Sequence, residues 1–114
     1  MKATKVGLSP GKGLGVFAVE SILPGEEIMT CHVITFANHN LPEGNLDAYR
    51  MGWTEEEDAI ALGHINLVNH SESPNVEILD NLPAKMKIMK SIKPIKTGEE
   101  LGVRYRCDVW FEKI

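Results

Sequence analysis

The chain has 114 residues, 43% hydrophobic and 25% charged, with a formal net charge of −4, which suits one ordinary globular domain over residues 1–114 with a modest single core. No apolar run approaches the roughly 18 residues of a membrane span, and no apolar segment follows Met1-Lys2 to act as a secretory signal, so a cytoplasmic protein without membrane contact is expected (nuclear if the source is a eukaryote or its virus). A pI near 5.5 argues against direct nucleic-acid binding, which demands a basic face, and suits a cationic partner.

Gly and Pro punctuate the chain, and short β-rich runs lie between them. Val16 to Val19 is the first run, and Ile28 to Phe36, rich in Val, Ile and Thr, is the second. Asn45 to Trp53 reads as a helix with Asn45 as its cap. Thr54-Glu55-Glu56-Glu57 has the form of a capping box, and propensity alone would carry a second helix through Ala59 to Leu62. Lys85 to Ile92 alternates Met86 and Ile88 with Lys87, the pattern of a half-buried strand. Leu101 to Tyr105 is a fourth strand. The whole reads as a mostly-β domain of short strands and turns. Ser21-Ile22-Leu23-Pro24-Gly25-Glu26-Glu27-Ile28 is echoed by Ser91-Ile92-Lys93-Pro94 and Gly98-Glu99-Glu100-Leu101. Each copy reads as a hairpin whose Gly supplies a positive φ, and convergent turn chemistry accounts for the echo more simply than duplication. Cys31 and Cys107 form no CxxC pair, and His32, His39, His64 and His70 have no metal-ligand spacing, so no metal site is expected.

Three segments carry chemistry. Gly11-Lys12-Gly13-Leu14-Gly15 places glycine at alternate positions, which brings backbone N–H groups close to a ligand or simply makes a tight turn. With no strand evident before it and no helix after it, it is not a dinucleotide-binding fingerprint. Asn69-His70-Ser71-Glu72-Ser73-Pro74-Asn75 crowds side-chain donors and acceptors into one loop, to bind a polar ligand or to satisfy local backbone. Gly98-Glu99-Glu100-Leu101-Gly102-Val103-Arg104-Tyr105 ends a strand on a tyrosine, with Trp110 and Phe111 soon after.

In this order and spacing the three segments resemble the SET-domain family of protein lysine methyltransferases, over roughly residues 6 to 111, with the seven residues from Asn69 to Asn75 the most specific piece. The chain looks most like the minimal stand-alone SET proteins of viral and bacterial type. The resemblance implies a SET-domain (β-clip-like) fold: several small curved sheets, few short helices and a C-terminal pseudoknot. It also implies a short strand at Asp58 to Leu62, against helix propensity, and then a helical turn leading into Asn69.

The resemblance further implies S-adenosylmethionine as cofactor and a lysine-bearing, basic (histone-like) protein or peptide as substrate. Backbone from Lys12 through Gly13 and Leu14 to Gly15 would hold the methionine part of the cofactor, together with Asn69. His70 would meet the adenine edge and Trp110 would stack on it. Tyr105 would sit where methyl donor and lysine meet, as both catalytic and cofactor-contacting residue, and Leu14, Tyr105 and Val109 would line the lysine channel. Leu14 and Val109 stand where relatives often carry aromatics, and Arg104 and Arg106 flank Tyr105 where small or acidic residues are usual. The alternative is a SET-fold module that binds peptide or cofactor without turnover. Only Glu112, Lys113 and Ile114 follow Phe111, and three residues span about 10 Å, too little to wall the channel. A second copy is the economical wall, giving a homodimer through the apolar residues Leu41, Leu46, Tyr49, Met51 and Trp53 of the Phe36 to Trp53 insert; the alternative is a monomer in which the substrate peptide itself forms the wall.

Overall fold

The computed structural model describes residues 2–37 and 50–104. Among these residues, nine strands and one turn of 3-10 helix make up the regular structure: β1 Thr4–Ser9, β2 Gly13–Ala18, β3 Glu27–Ala37, β4 Met51–Gly52, β5 Glu57–Ala61, the helical turn His64–Leu67, β6 Asn69–His70, β7 Val76–Asn81, β8 Met86–Ser91 and β9 Gly102–Val103. They form three sheets: the hairpin β1-β2, a five-stranded sheet in the order β4-β5-β3-β8-β7, and the pair β6-β9. The last pair is parallel, while the other named pairs are antiparallel.

All four strands expected from the apolar runs are present, the last reduced to Gly102–Val103 within the described residues. In β3 a register shift between Glu27 and Met29 breaks the two-residue alternation. Ile28 is buried, then Cys31 and Val33, because a bulge inserts one extra residue between inward positions. The second helix suggested by propensity does not form. Thr54 does cap, its hydroxyl accepting from the N–H groups of Glu56 and Glu57, but it caps a turn. The chain then enters β5, where Ala59 and Ala61 alternate inward opposite Thr35 and Val33 of β3. Pairing against a long apolar strand outweighs a few tenths of a kcal/mol of propensity per residue. The short strand and following helical turn that the family resemblance implies are both found. Of the first expected helix, Met51–Gly52 is instead strand β4, and its start at Asn45 lies outside the described residues.

The half-buried strand β8 has the expected period but the opposite phase. Its inward face is Lys87, Met89 and Ser91, with Met86 and Ile88 only partly covered. Lys87 is 4% exposed because it brings its partners with it. Its ammonium donates to Asp80 Oδ1 at 2.7 Å and to the Gly52 carbonyl at 3.2 Å, and lies 5.5 Å over the Trp53 ring. Met51 and Trp53 pack against the chain's own core; Leu41, Leu46 and Tyr49 lie outside the described residues.

The Gly25 and Gly98 halves of the sequence echo form the same turn twice, and matching the two turns pairs Ile22 with Ile95 and Ala18 with Ser91, so the likeness of residues 21–24 to residues 91–94 is not structural. The two copies are not independent hairpins, because the flanks of each turn pair with the other copy. Gly25 N donates to Ser91 O, and its counterpart Gly98 N donates to Ala18 O. Ser91 N donates to Glu26 O, and Ala18 N to Glu99 O. Ile22 and Ile95, equivalent residues, exchange both backbone bonds with each other. Within each turn a carboxylate caps the same backbone group, Glu26 accepting from Leu23 N and Glu99 from Lys96 N. Gly25 and Gly98 take φ values of +83° and +92°, as expected for the turn. An isolated hairpin is marginal in water. Crossing the two copies buries Ile22 against Ile95 and places Ile28 and Leu101 in one core. The threading expected of the segment beyond Arg104 lies outside the described residues.

Candidate active site

Pro10, Gly11 and Lys12 make the turn between β1 and β2, with Ser9 opposite Gly13 and Lys12 N donating to Ser9 O. The glycine-rich segment is thus a hairpin tip, preceded by a strand that the sequence had not revealed. It reaches across to the Asn69–Asn75 loop. Asn69 Nδ2 donates to Leu14 O at 3.0 Å, and Lys12 Nζ to His70 O at 3.3 Å. Residues distant in sequence therefore share one cleft of about 120 Å³, whose lining includes Lys12, Asn69, His70, Asn75 and Glu100. Of the residues expected at the site, Lys12, Asn69 and His70 line this cleft, Leu14 and Gly15 meet Asn69 and Glu100 beside it, and Gly13 lies in the hairpin between them. Leu14 contributes its carbonyl to Asn69, while its side chain remains about half exposed. Tyr105, Val109 and Trp110 lie outside the described residues.

The loop divides its labour. Asn69 and His70 face the cleft as β6, alongside Gly102 and Val103 of β9. Ser71 and Asn75 border the cleft too, and satisfy backbone. Ser71 Oγ accepts from Ser73 N. Asn75 Nδ2 donates to Glu100 O, while its Oδ1 accepts from Gly102 N at 2.8 Å. Buried backbone groups need such partners, so the second asparagine of the motif, at the edge of the cleft, stitches the loop to β9. Glu72 joins His70 to Arg104. Its carboxylate lies 3.2 Å from His70 Nε2 and accepts from Arg104 at 2.9 Å, and Arg104 also donates to the Glu72 carbonyl. Arg104 thus fastens the loop to the strand that leads to Tyr105.

Sequence reasoning missed Ser9 and Glu100. The Glu100 carboxylate accepts from Ser9 Oγ at 2.8 Å and from Asn69 Nδ2 at 2.9 Å. A Cβ on Gly15 would stand 2.5 Å from that carboxylate, so Gly15 is glycine to admit Glu100. The only available signal was the second Glu of Gly98-Glu99-Glu100-Leu101, which its copy Glu27, an exposed residue, disguised as a surface charge.

The glycine hairpin, the Asn-His strand and the strand leading to Tyr105 thus converge. The SET-domain profile matches residues 12–106. The chain belongs to the SET-domain family. A histone-lysine N-methyltransferase of Schizosaccharomyces pombe, named as specific for lysine 37 of histone H3, is 31% identical over 105 residues, 89% of this chain and 71% of that protein. A crystal structure from Plasmodium falciparum, described as that of a candidate histone methyltransferase, superposes with a TM-score of 0.79 at 28% identity, over 97% of this SET chain and 99% of the other.

Proposed function

We propose that the chain transfers a methyl group from S-adenosylmethionine to the side-chain amine of a lysine in a basic, histone-like protein. The observation that carries this reading is the cleft shared by the glycine hairpin and Asn69-His70, inside a fold whose relatives are named as histone-lysine methyltransferases.

The donor set fits the cofactor. Both Nδ2 hydrogen bonds of Asn69 go to acceptors of the chain itself, Leu14 O and Glu100 Oε2, which leaves Oδ1 as an acceptor for an ammonium. Lys12 lines the same cleft as a cation for a carboxylate. An amino-acid moiety bears both groups. When bound, S-adenosylmethionine supplies a sulfonium methyl open to displacement by an amine. Lys12 and Asn69 hold the amino-acid end in this reading, backbone of Leu14 and Gly15 borders it, His70 meets the adenine edge and Trp110 stacks on it.

The target lysine must be neutral to attack. Its ordinary pKa of ~10.4 leaves roughly 1 molecule in 2,500 deprotonated at pH 7, a handicap of about 4.6 kcal/mol. Walls formed by Leu14 and Val109 lower that pKa by desolvation. The Tyr105 hydroxyl then orients the amine, and the proton leaves to water. The net charge of −4 favours encounter with a basic substrate.

The test is transfer of labelled methyl from S-adenosylmethionine to a pool of basic proteins, with Tyr105→Phe beside the wild type. Label on lysine is expected, with turnover in Tyr105→Phe falling at least about a hundredfold at little change in cofactor affinity. Binding without transfer would point to the non-catalytic module, and absence of cofactor binding at millimolar concentration would reject the reading.

A further inference from the structure

Asparagine offers two faces of nearly equal shape, one donating and one accepting, and its environment decides which is turned where. At Asn69 that decision is made by two groups that can only accept. Leu14 O and Glu100 Oε2 lie 3.0 and 2.9 Å from Nδ2. The carbonyl comes with the hairpin backbone in any sequence. The carboxylate is a specific choice, and the chain invests in it: Ser9 holds its other oxygen at 2.8 Å, and Gly15 gives up a Cβ to make room for it. Glu27, the matching residue of the other copy of the repeat, is exposed opposite Lys90. The fold itself therefore does not require a carboxylate to be held in this way.

We infer that Glu100 is a positioning residue, whose carboxylate orients the Asn69 amide so that Oδ1 accepts from the ammonium of the cofactor's amino-acid moiety. The inference rests on the S-adenosylmethionine reading and adds to it a residue that acts through Asn69. A carboxylate has no donor at neutral pH, so it excludes the flipped amide. Without it, only the Leu14 carbonyl still opposes the flipped amide, and the flipped amide turns an NH2 group on the incoming ammonium.

Calorimetry with S-adenosylhomocysteine and with 5′-methylthioadenosine tests this, because the second keeps the nucleoside and lacks the amino-acid moiety. Glu100→Ala is expected to weaken S-adenosylhomocysteine about tenfold or more, the range for an unsatisfied hydrogen-bonding group, and to change 5′-methylthioadenosine less than about twofold. Glu100→Gln, whose carbonyl accepts from Asn69 while its amide donates to Ser9 Oγ, should restore most of the loss. Asn69→Ala/Glu100→Ala should bind no more weakly than Asn69→Ala alone. Should Glu100→Ala fail to fold, Glu100→Met keeps the length of the side chain, and Ser9→Ala loosens the carboxylate from behind. Equal losses for both ligands would reduce Glu100 to a structural strap, and additive losses with Asn69 would mean direct contact with the ligand; either overturns the inference. If the wild type binds S-adenosylhomocysteine and no Glu100 variant changes that, the inference alone falls. If the wild type binds neither ligand, the cofactor reading falls first and takes the inference with it.

Discussion

At the scale of single residues, the site depends on an atom that is missing. A Cβ at Gly15 would sit 2.5 Å from Glu100 Oε2 and 3.1 Å from Ser9 Cβ. Glu100 is a flexible side chain, but Ser9 and Asn69 fix both its oxygens, so it cannot step aside without giving up a bond. Gly15→Ala should therefore destabilise by about 1–3 kcal/mol, as overpacking does, and also weaken S-adenosylhomocysteine several-fold, read by denaturant titration and calorimetry. A change in stability with unaltered affinity would separate Gly15 from the site. Residue identity was legible here only in part. The motif residues Asn69 and His70 could be found because their types are chemically loaded. Ser9 and Glu100 could not, because the contact joins residues 91 positions apart and neither side chain is unusual for a turn or surface. Lys87 was misplaced for a related reason: the apolar/polar pattern takes a lysine as outward unless the partner that neutralises it, here Asp80 on β7, is known in advance.

At the scale of elements, the apolar runs found β2, β3 and β8 but missed β1 and β7, which are as long as β2 and β8, and could not delimit the two-residue strands. β4 and β9 have two residues each, too few for any period, and exist because β5 and β6 supply their ladders. The Ser21–Ile28 echo was visible, but its meaning was not, because a sequence does not say whether two similar turns pair within themselves or with each other. The pairing makes a prediction. Gly25 and Gly98 both sit at positive φ, and a Cβ added to either would meet nothing within 4 Å, so Gly25→Ala and Gly98→Ala differ from wild type only in backbone strain. Each should lower stability by about 1–2 kcal/mol, and the two losses should agree within the error of a urea titration. The first turn also carries a pH signature. The N–H of Leu23 bonded to its carboxylate, with the Lys2 ammonium 3.2 Å away, holds Glu26 below the ordinary carboxylate range despite some opposing desolvation. A depressed folded value means stability that is present above the unfolded pKa and lost as pH falls through the folded one. Wild type should lose this contribution in acid and Glu26→Gln should not, so their stabilities should converge between about pH 5 and pH 2. Divergence in that window would show that the turn is not held by the charge.

At the scale of the whole molecule, the cleft is where separate sheets meet. The hairpin β1-β2 brings Lys12 and Leu14, β6 brings Asn69 and His70, and β9 runs beside β6 towards Tyr105. None of these elements makes the cleft alone, so an unfolded or partly opened chain should have no affinity for the cofactor. Binding to the native state only stabilises by RT ln(1 + [L]/Kd), about 2.7 kcal/mol at a hundredfold excess over Kd. A 114-residue chain should then melt roughly 10 °C higher, at about 4 °C or more per kcal/mol. The size of the shift also reports which elements the ligand joins. S-adenosylhomocysteine engages both the hairpin and β6 in the proposed mode, whereas 5′-methylthioadenosine, without the amino-acid moiety, loses Lys12 and the Asn69 carboxamide. At equal concentration it should therefore give a smaller shift, and in Asn69→Ala the difference between the two ligands should shrink to what Lys12 supplies. Differential scanning fluorimetry over a concentration series measures all four values. Equal shifts for the two ligands in the wild type would mean that the amino-acid end is bound elsewhere, and the hairpin would then be a structural turn with no part in holding the cofactor.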